Sequence, residues 1–263
     1  HYSWHWIFLI NLPLGLIALA YAAWALPSDS PEPTESFDFV GMLMMSPGLA
    51  LFLFGVSSIP EAQSDSSMYT GRVIPATIVG LVLIIGFVFW ALRAKLPLLD
   101  LRLLANRQFS IAALTMFLFA AAFFGGLLLV PTYFQQVRGE STLNAGLLVA
   151  PQGLGAMLTM PIAGALADKM PVGRIVPFGL LAIIVGFAGL TQITDTTPYP
   201  VLCGFLFVMG LGMGGTMMPI MTSALKTLRA HDVARGSTLL NIVQQVASSI
   251  GVAIMSVLLT NAF

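Results

Sequence analysis

Residues 73–92 read VIPATIVGLVLIIGFVFWAL, twenty positions without a charge, bounded by Arg72 before and Arg93 after. At about 1.5 Å per residue, a helix of this length crosses the ~30 Å of bilayer hydrocarbon. Seven further apolar stretches flank it, at roughly 4–26, 39–58, 109–135, 143–167, 172–193, 200–223 and 236–259. Consecutive stretches must cross in opposite directions, which sorts the connecting segments onto two sides. One side holds Arg93, Lys95, Arg102, Arg107, Lys169, Arg174, Lys226, Arg229 and Arg235, and the other holds only Arg72 and Arg138. By the positive-inside bias the first side is cytoplasmic. The reading is an all-α membrane protein of about eight transmembrane helices.

Composition agrees. Charged residues make up 8% of the chain and hydrophobic ones 57%, which excludes an ordinary soluble domain. A formal net charge of zero leaves no basic field for nucleic acid. The single cysteine, Cys203, lies inside the seventh stretch and allows neither a disulfide framework nor a Cys-ligated metal. His1, His5 and His231 fall at a terminus or in a loop and do not cluster, so no metal, cofactor or catalytic role is expected. No His, Asp or Glu cluster meets within the spans, which disfavours an intramembrane enzyme.

The chain opens on the aromatic run His1-Tyr2-Ser3-Trp4-His5-Trp6, of the sort found at membrane interfaces, and shows no signal-peptide pattern. With its far end directly after a span, it reads as the middle or later part of a longer chain. Pro27 to Ser36 is rich in proline and acid and is expected to be a solvated connector; Pro60 to Ser67 is a polar outer loop. Arg93 to Gln108 interleaves leucines with basic residues, which suits either a helix at the cytoplasmic interface or a linker held by headgroups. The short later loops predict antiparallel helices packed side by side in one bundle. Gly210 and Gly214 form a GxxxG pair, and Gly146, Gly153, Gly155 and Gly164 thin the fifth stretch for close backbone approach. Pro151, Pro161 and Pro219 predict kinks or local breaks.

The most specific stretch is Gly164-Ala165-Leu166-Ala167-Asp168-Lys169-Met170-Pro171-Val172-Gly173-Arg174. Here Gly164 would allow close helix contact, Asp168 would face the positive start of the next helix, and Lys169 and Arg174 would hold the headgroup side. The stretch resembles the cytoplasmic signature loop of the major facilitator superfamily, roughly G-x-L-a-D-r-x-G-r. It matches at Gly164, Leu166, Asp168 and Lys169 and departs at Pro171 and in the displaced Gly173-Arg174 pair. Ser3 to Gly15, SWHWIFLINLPLG, resembles the start of the sixth span of that family's fourteen-span drug:proton antiporters, with His5 where arginine is usual. Pro97 to Arg102 and Asn106 to Phe109 resemble the lead into the ninth span, and Gly236 to Gly251, with Asn241 and Gln245, resembles the thirteenth.

The resemblance implies a partial major facilitator bundle: residues 1–26 the last helix of the N-terminal bundle, 27–92 two linking transmembrane helices, 93–108 a cytoplasmic interfacial linker, and 109–263 five helices of the C-terminal bundle. It implies the C-terminal part of a proton-coupled multidrug efflux transporter in the plasma membrane, working by alternating access on small hydrophobic or amphipathic substrates. An exporter of a lipid or metabolite, and a non-transporting membrane interaction or sensor protein, are the alternatives. All eleven Asp and Glu residues fall in loops or at span ends. An acid at the membrane centre costs roughly 2.5–3.5 kcal/mol and is functional where it occurs. Proton coupling in such antiporters is expected to need one, and the resemblance places it in the half not present here.

By the same resemblance the fourth, seventh and eighth spans supply the substrate wall. Phe119, Phe123, Gly126, Val130 and Tyr133 recur at helical spacing, with Phe134 and Gln135 close by. Met209, Met213, Met217 and Ile220 form a thioether stripe beside Thr216, and such surfaces repack around varied apolar ligands. Core or lipid-facing packing is the competing reading for each. Asn241, Gln244, Gln245 and Ser248 share one face, serving as glue between helices or as substrate contacts. Gln152, Thr159 and Thr115 are weaker candidates.

Overall fold

The structure is a computed structural model describing residues 9, 11–25, 38–58, 69–94, 97–194, 196–229 and 232–262. The aromatic opening, the connector at 27–36, the outer loop at 60–67, Lys95 and His231 lie outside the described residues. The described residues are almost wholly helical and contain no strand. The chain divides into two units, residues 1–36 and 37–263. In the first, α1 (Asn11–Ala25) is apolar but only 15 residues long and buries no side chain.

Among its described residues the second unit contains seven helices of membrane-crossing length: α2 (Phe39–Ser57), α3 (Ile74–Arg93), α4 (Arg107–Leu127), α5 (Thr142–Lys169), α6 (Val172–Leu190), α7 (Tyr199–Lys226) and α8 (Val233–Ala262). A π-type turn, Tyr69–Val73, leads into α3, and α4 continues through a short turn and a second π-type turn to Val137. Local chemistry sets the starts. The side chains of Asp38, Asn106 and Ser141 accept hydrogen bonds from first-turn amides of α2, α4 and α5, while α6 and α7 begin at Pro171 and Pro198 without a side-chain cap. Of the expected kinks or local breaks, the breaks are absent: α5 and α7 are continuous helices through Pro151, Pro161 and Pro219.

The order in space differs from the order in sequence. The helix α7 lies between α5 and α6; α4 packs on α8; α2 packs on α3. The helices α5 and α6 barely touch despite the two-residue turn joining them, which corrects the side-by-side expectation. Glycine explains why. Apolar burial supplies little drive between helices in lipid, so close backbone approach has to bring them together. A Cβ on Gly210 would lie 2.0 Å from Gln152 O of α5, and one on Gly214 would lie 2.8 Å from Met160 N. On the opposite side of α7, a Cβ on Gly212 would lie 2.5 Å from Gly179 O of α6. Gly251 of α8 makes the same approach to Ala121 O of α4. By contrast Gly146 and Gly153 face open space, and Gly164 is at ordinary contact, 3.5 Å, from Met218. Of the glycines read as thinning α5, only Gly155 sits at a tight crossing, its Cβ position 2.4 Å from Phe207 O.

The segment from Arg93 to Gln108 is not one helix. It holds a single 3-10 turn, Leu101–Ala105, capped by Asp100. Leu99 is buried against Met45, Phe87 and Ala91, and Ile242 of α8 packs on the same cluster. The guanidinium of Arg102 donates to Leu92 O and Ala94 O at 3.0 and 2.9 Å, satisfying carbonyls that the end of α3 leaves open. Asp38 accepts from Gly41 N, Trp90 Nε1 and Leu98 N. Burial pushes its carboxyl up, but these three bonds outweigh it and hold it below the ordinary value.

The threading carries its own check. In a Cys203→Ser background, Thr196→Cys is expected to react with an impermeant maleimide on intact cells, and Met170→Cys only after permeabilisation. The reverse pattern would invert the assignment of sides.

Candidate functional site

At the end of the bundle that the charge bias assigns to the cytoplasm, the last turn of α5 meets the last turn of α7. Lys226 Nζ lies 2.8 Å from an Asp168 carboxylate oxygen and donates to Ala167 O at 2.8 Å. The ammonium thus holds both the negative end of the α5 dipole and the acid beside it. Asp168 does not cap the next helix: α6 starts at Pro171 with no side-chain cap, and the partner of Asp168 is on α7. In the sequence Lys226 is one cytoplasmic cation among nine; 58 residues separate it from Asp168, and no local spacing joins them. Both side chains are about half exposed or more, at 47% and 64%. A pair so wetted contributes only ~0–1 kcal/mol to folding. It is weak enough to break and re-form. Lys169 and Arg174 are exposed.

The aromatic residues expected on a cavity wall form a seam. Phe119 and Phe123 are buried and stacked with centroids 5.4 Å apart. Gly126 is covered by the Phe187 ring of α6, Val130 is buried, and the Tyr133 hydroxyl donates to Thr194 O at 2.9 Å. Two cavities open along this seam, about 580 Å³ beside Phe119, Phe123 and Ile183, and about 340 Å³ beside Gly126, Tyr133 and Phe134. Thr216 is fully buried, and its Oγ1, which has no hydrogen-bond partner, lies 2.4 Å from where a Cβ on Gly179 would sit. It therefore packs α7 on α6 in this conformation. Gln152 is buried with Oε1 unpartnered, and the hydroxyls of Thr115 and Thr159 bond back to their own helices.

The thioether stripe and the amide face do meet. Met213 and Met217 are half-buried, and Gln244 Nε2 lies 4.0 Å from Met217 Sδ, joining α7 and α8 by a weak amide–sulfur contact. Asn241 and Gln245 are exposed. Ser248 and Ser249 both donate to Gln245 O, at 2.9 and 3.0 Å. Among the described residues every carboxylate lies outside or at the end of a helix, and no three His, Cys, Asp or Glu side chains gather closely enough to hold a metal ion.

A polar clasp at the opposite end is not visible in the sequence, because it joins residues 138–144 to residues 197–199, more than fifty positions apart. The Arg138 guanidinium lies 4.6 Å from the Tyr199 ring centroid and donates to Thr197 O at 2.9 Å. The Tyr199 hydroxyl and Asn144 Nδ2 donate to the two carboxylate oxygens of Glu140. The Tyr199 bond, then the Asn144 bond, with the Arg138 charge behind them, hold the Glu140 carboxyl below its ordinary value. A depressed folded-state pKa contributes stability above the unfolded value, lost as pH falls through the folded one. Glu140→Gln is therefore expected to melt below wild type at neutral pH, with the gap closing below the ordinary carboxylate range. A gap that persists unchanged in acid would remove the charge from the account.

Comparison with known proteins adds the lineage. The family model of the Major Facilitator Superfamily matches residues 1–252. The chain is 46% identical, over its whole length, to a Mycobacterium tuberculosis protein named multidrug resistance protein B homolog, of which it covers 48%. It is 30% identical over 85% of its length to the Bacillus subtilis multidrug transporter protein MdtP, covering 41% of that protein. It is 28% identical over 99% of its length to the Escherichia coli multidrug export protein EmrB, covering 51% of it. The chain spans about half the length of these relatives.

Proposed function

Because this chain belongs to the major facilitator superfamily of membrane transporters, we propose that it is the C-terminal part of a proton-coupled multidrug efflux transporter for hydrophobic or amphipathic compounds. In this reading α1 closes the N-terminal bundle, α2 and α3 are the linking pair, and α4 to α8 are five helices of the C-terminal bundle, which the segment 93–108 connects to the linking pair. The observation that carries it is the tie of Lys226 to Asp168 and Ala167 within the signature loop. Alternating access needs a contact that favours one arrangement yet exchanges readily, and an exposed ion pair at two helix ends has that character. The substrate class is supported by described helices that carry charge only at their ends and by half-buried methionines meeting amides between α7 and α8. In this reading proton binding falls to the complementary half.

The test is reconstitution in liposomes with an imposed pH gradient and a fluorescent lipophilic cation. The full-length transporter is expected to move the dye, and to stop when the gradient is collapsed. The 263-residue chain alone is expected to match empty-liposome leak. Gradient-dependent transport by this chain alone, or full-length transport that survives collapse, would overturn the reading.

A further inference from the structure

Asp38 gathers donors from three parts of the chain. Its Oδ1 accepts from Gly41 N of α2 at 2.8 Å and from Trp90 Nε1 of α3 at 3.0 Å, and its Oδ2 accepts at 3.0 Å from Leu98 N, 60 residues away. Only a side chain with an acceptor at both ends satisfies the two distant donors at once. Capping α2 does not require that, because asparagine and serine cap a helix as well as aspartate does. The segment held in this way, 98–106, lies between two apolar clusters. Leu99 is buried with Phe87 and Ala91 of α3, Leu103 packs on the cluster that Phe109 of α4 forms with α7 and α8, and Leu101 packs on both. Leu101, Leu103 and Asn106 donate their amides to carbonyls inside the segment. At its end Asn106 caps α4 through Oδ1 and reaches Thr227 O with Nδ2 at 3.5 Å, one residue from the Lys226 that pairs with Asp168.

We propose that 98–106 is a rigid brace and Asp38 its pin, so that α2 and α3 move as one body with α4, α7 and α8. A segment held only by headgroups would leave the two groups of helices free to shift. The brace instead delivers any displacement of α2 and α3 to the end of α7 that carries the ion pair. It is built from contacts within this chain and stands whether or not the protein exports drugs.

The test is hydrogen–deuterium exchange, resolved to single amides, on the full-length protein in nanodiscs. Asp38→Asn retains the cap and, by keeping its oxygen toward Gly41 and Trp90, turns an NH2 against Leu98 N–H. Leu98 is expected to exchange about tenfold faster, the factor for a lost bond to a charged acceptor. Leu101, Leu103 and Asn106 should accelerate with it, because one pin holds one cooperative unit. In a Cys203→Ser background, spin labels on Arg93→Cys and Arg229→Cys should give one narrow distance that broadens in Asp38→Asn, while a Met170→Cys and Arg229→Cys pair stays narrow. Where Asp38→Asn fails to fold, Trp90→Phe removes one donor and should speed the same four amides by a smaller factor. Faster exchange at Leu98 alone would make Asp38 a local cap, and loosened amides beside an unchanged 93–229 distance would free the helices of the brace. Either result, or unchanged exchange in a folded variant, would overturn the proposal.

Discussion

Gly210→Leu is expected to lower the melting temperature of the detergent-solubilised protein by on the order of 5–10 °C and to cut the yield of monodisperse material sharply. The Cβ alone would fall 2.0 Å from the backbone oxygen of Gln152, and backbone cannot rotate aside as a side chain would. The helices α5 and α7 must separate, surrendering contacts along their shared length. Overpacking of this kind costs ~1–3 kcal/mol or more, and each kcal/mol moves the melting temperature by roughly 2–4 °C in a protein of this size. Gly153→Leu is the matched control. It lies on the same membrane helix pair, and its Cβ meets nothing within 4 Å. If both variants melt alike, close approach is not what holds α7 to α5.

Asp168→Asn is expected to reduce efflux by the full-length transporter several-fold at near-normal expression, and Lys226→Met to do the same. The ion pair is too exposed to hold the fold together, at ~0–1 kcal/mol. A bias of ~1 kcal/mol nonetheless changes the ratio of two conformers about fivefold. Lys226→Met also removes the donor to Ala167 O, so its loss should be the larger of the two. The exchange Asp168→Lys with Lys226→Asp should recover only part of the activity, because aspartate cannot donate to that carbonyl. Wild-type efflux from well-expressed Asp168→Asn would reduce the loop to a connector.

Of the eight apolar stretches read from the sequence, seven are helices of membrane-crossing length among the described residues, because length and hydropathy depend on composition near each position. Pairing between helices was not legible. Gly153 and Gly155 look alike in sequence, yet one faces open space and the other abuts Phe207 O. The difference is which neighbour α7 becomes, a property of the whole bundle. The same holds for Asp168, whose motif singled out a candidate loop while its partner came from the far end of α7. Phe119 and Phe123 had the right spacing for a wall, but spacing states only that they share a face; the structure buries that face against α6 and α7. Gln244 and Met217 are each candidates on separate helices, and their meeting could not be read from either.

Under the proposed efflux function, the glycine crossings on both sides of α7 bear on how one protein could accept many shapes of ligand. Where main chain rests on main chain, no layer of side chains remains to be compressed or rearranged, and α5, α7 and α6 behave as a single stiff plate. Such a plate tilts as a whole; it does not mould itself to a guest. Adaptability must then come from what projects off the plate, and α7 supplies Met213, Met217 and Met221, half-buried thioethers on unbranched stems that change rotamer at little cost. Tolerance and rigidity are thus divided within one helix, glycine fixing the backbone and methionine leaving the surface free to conform.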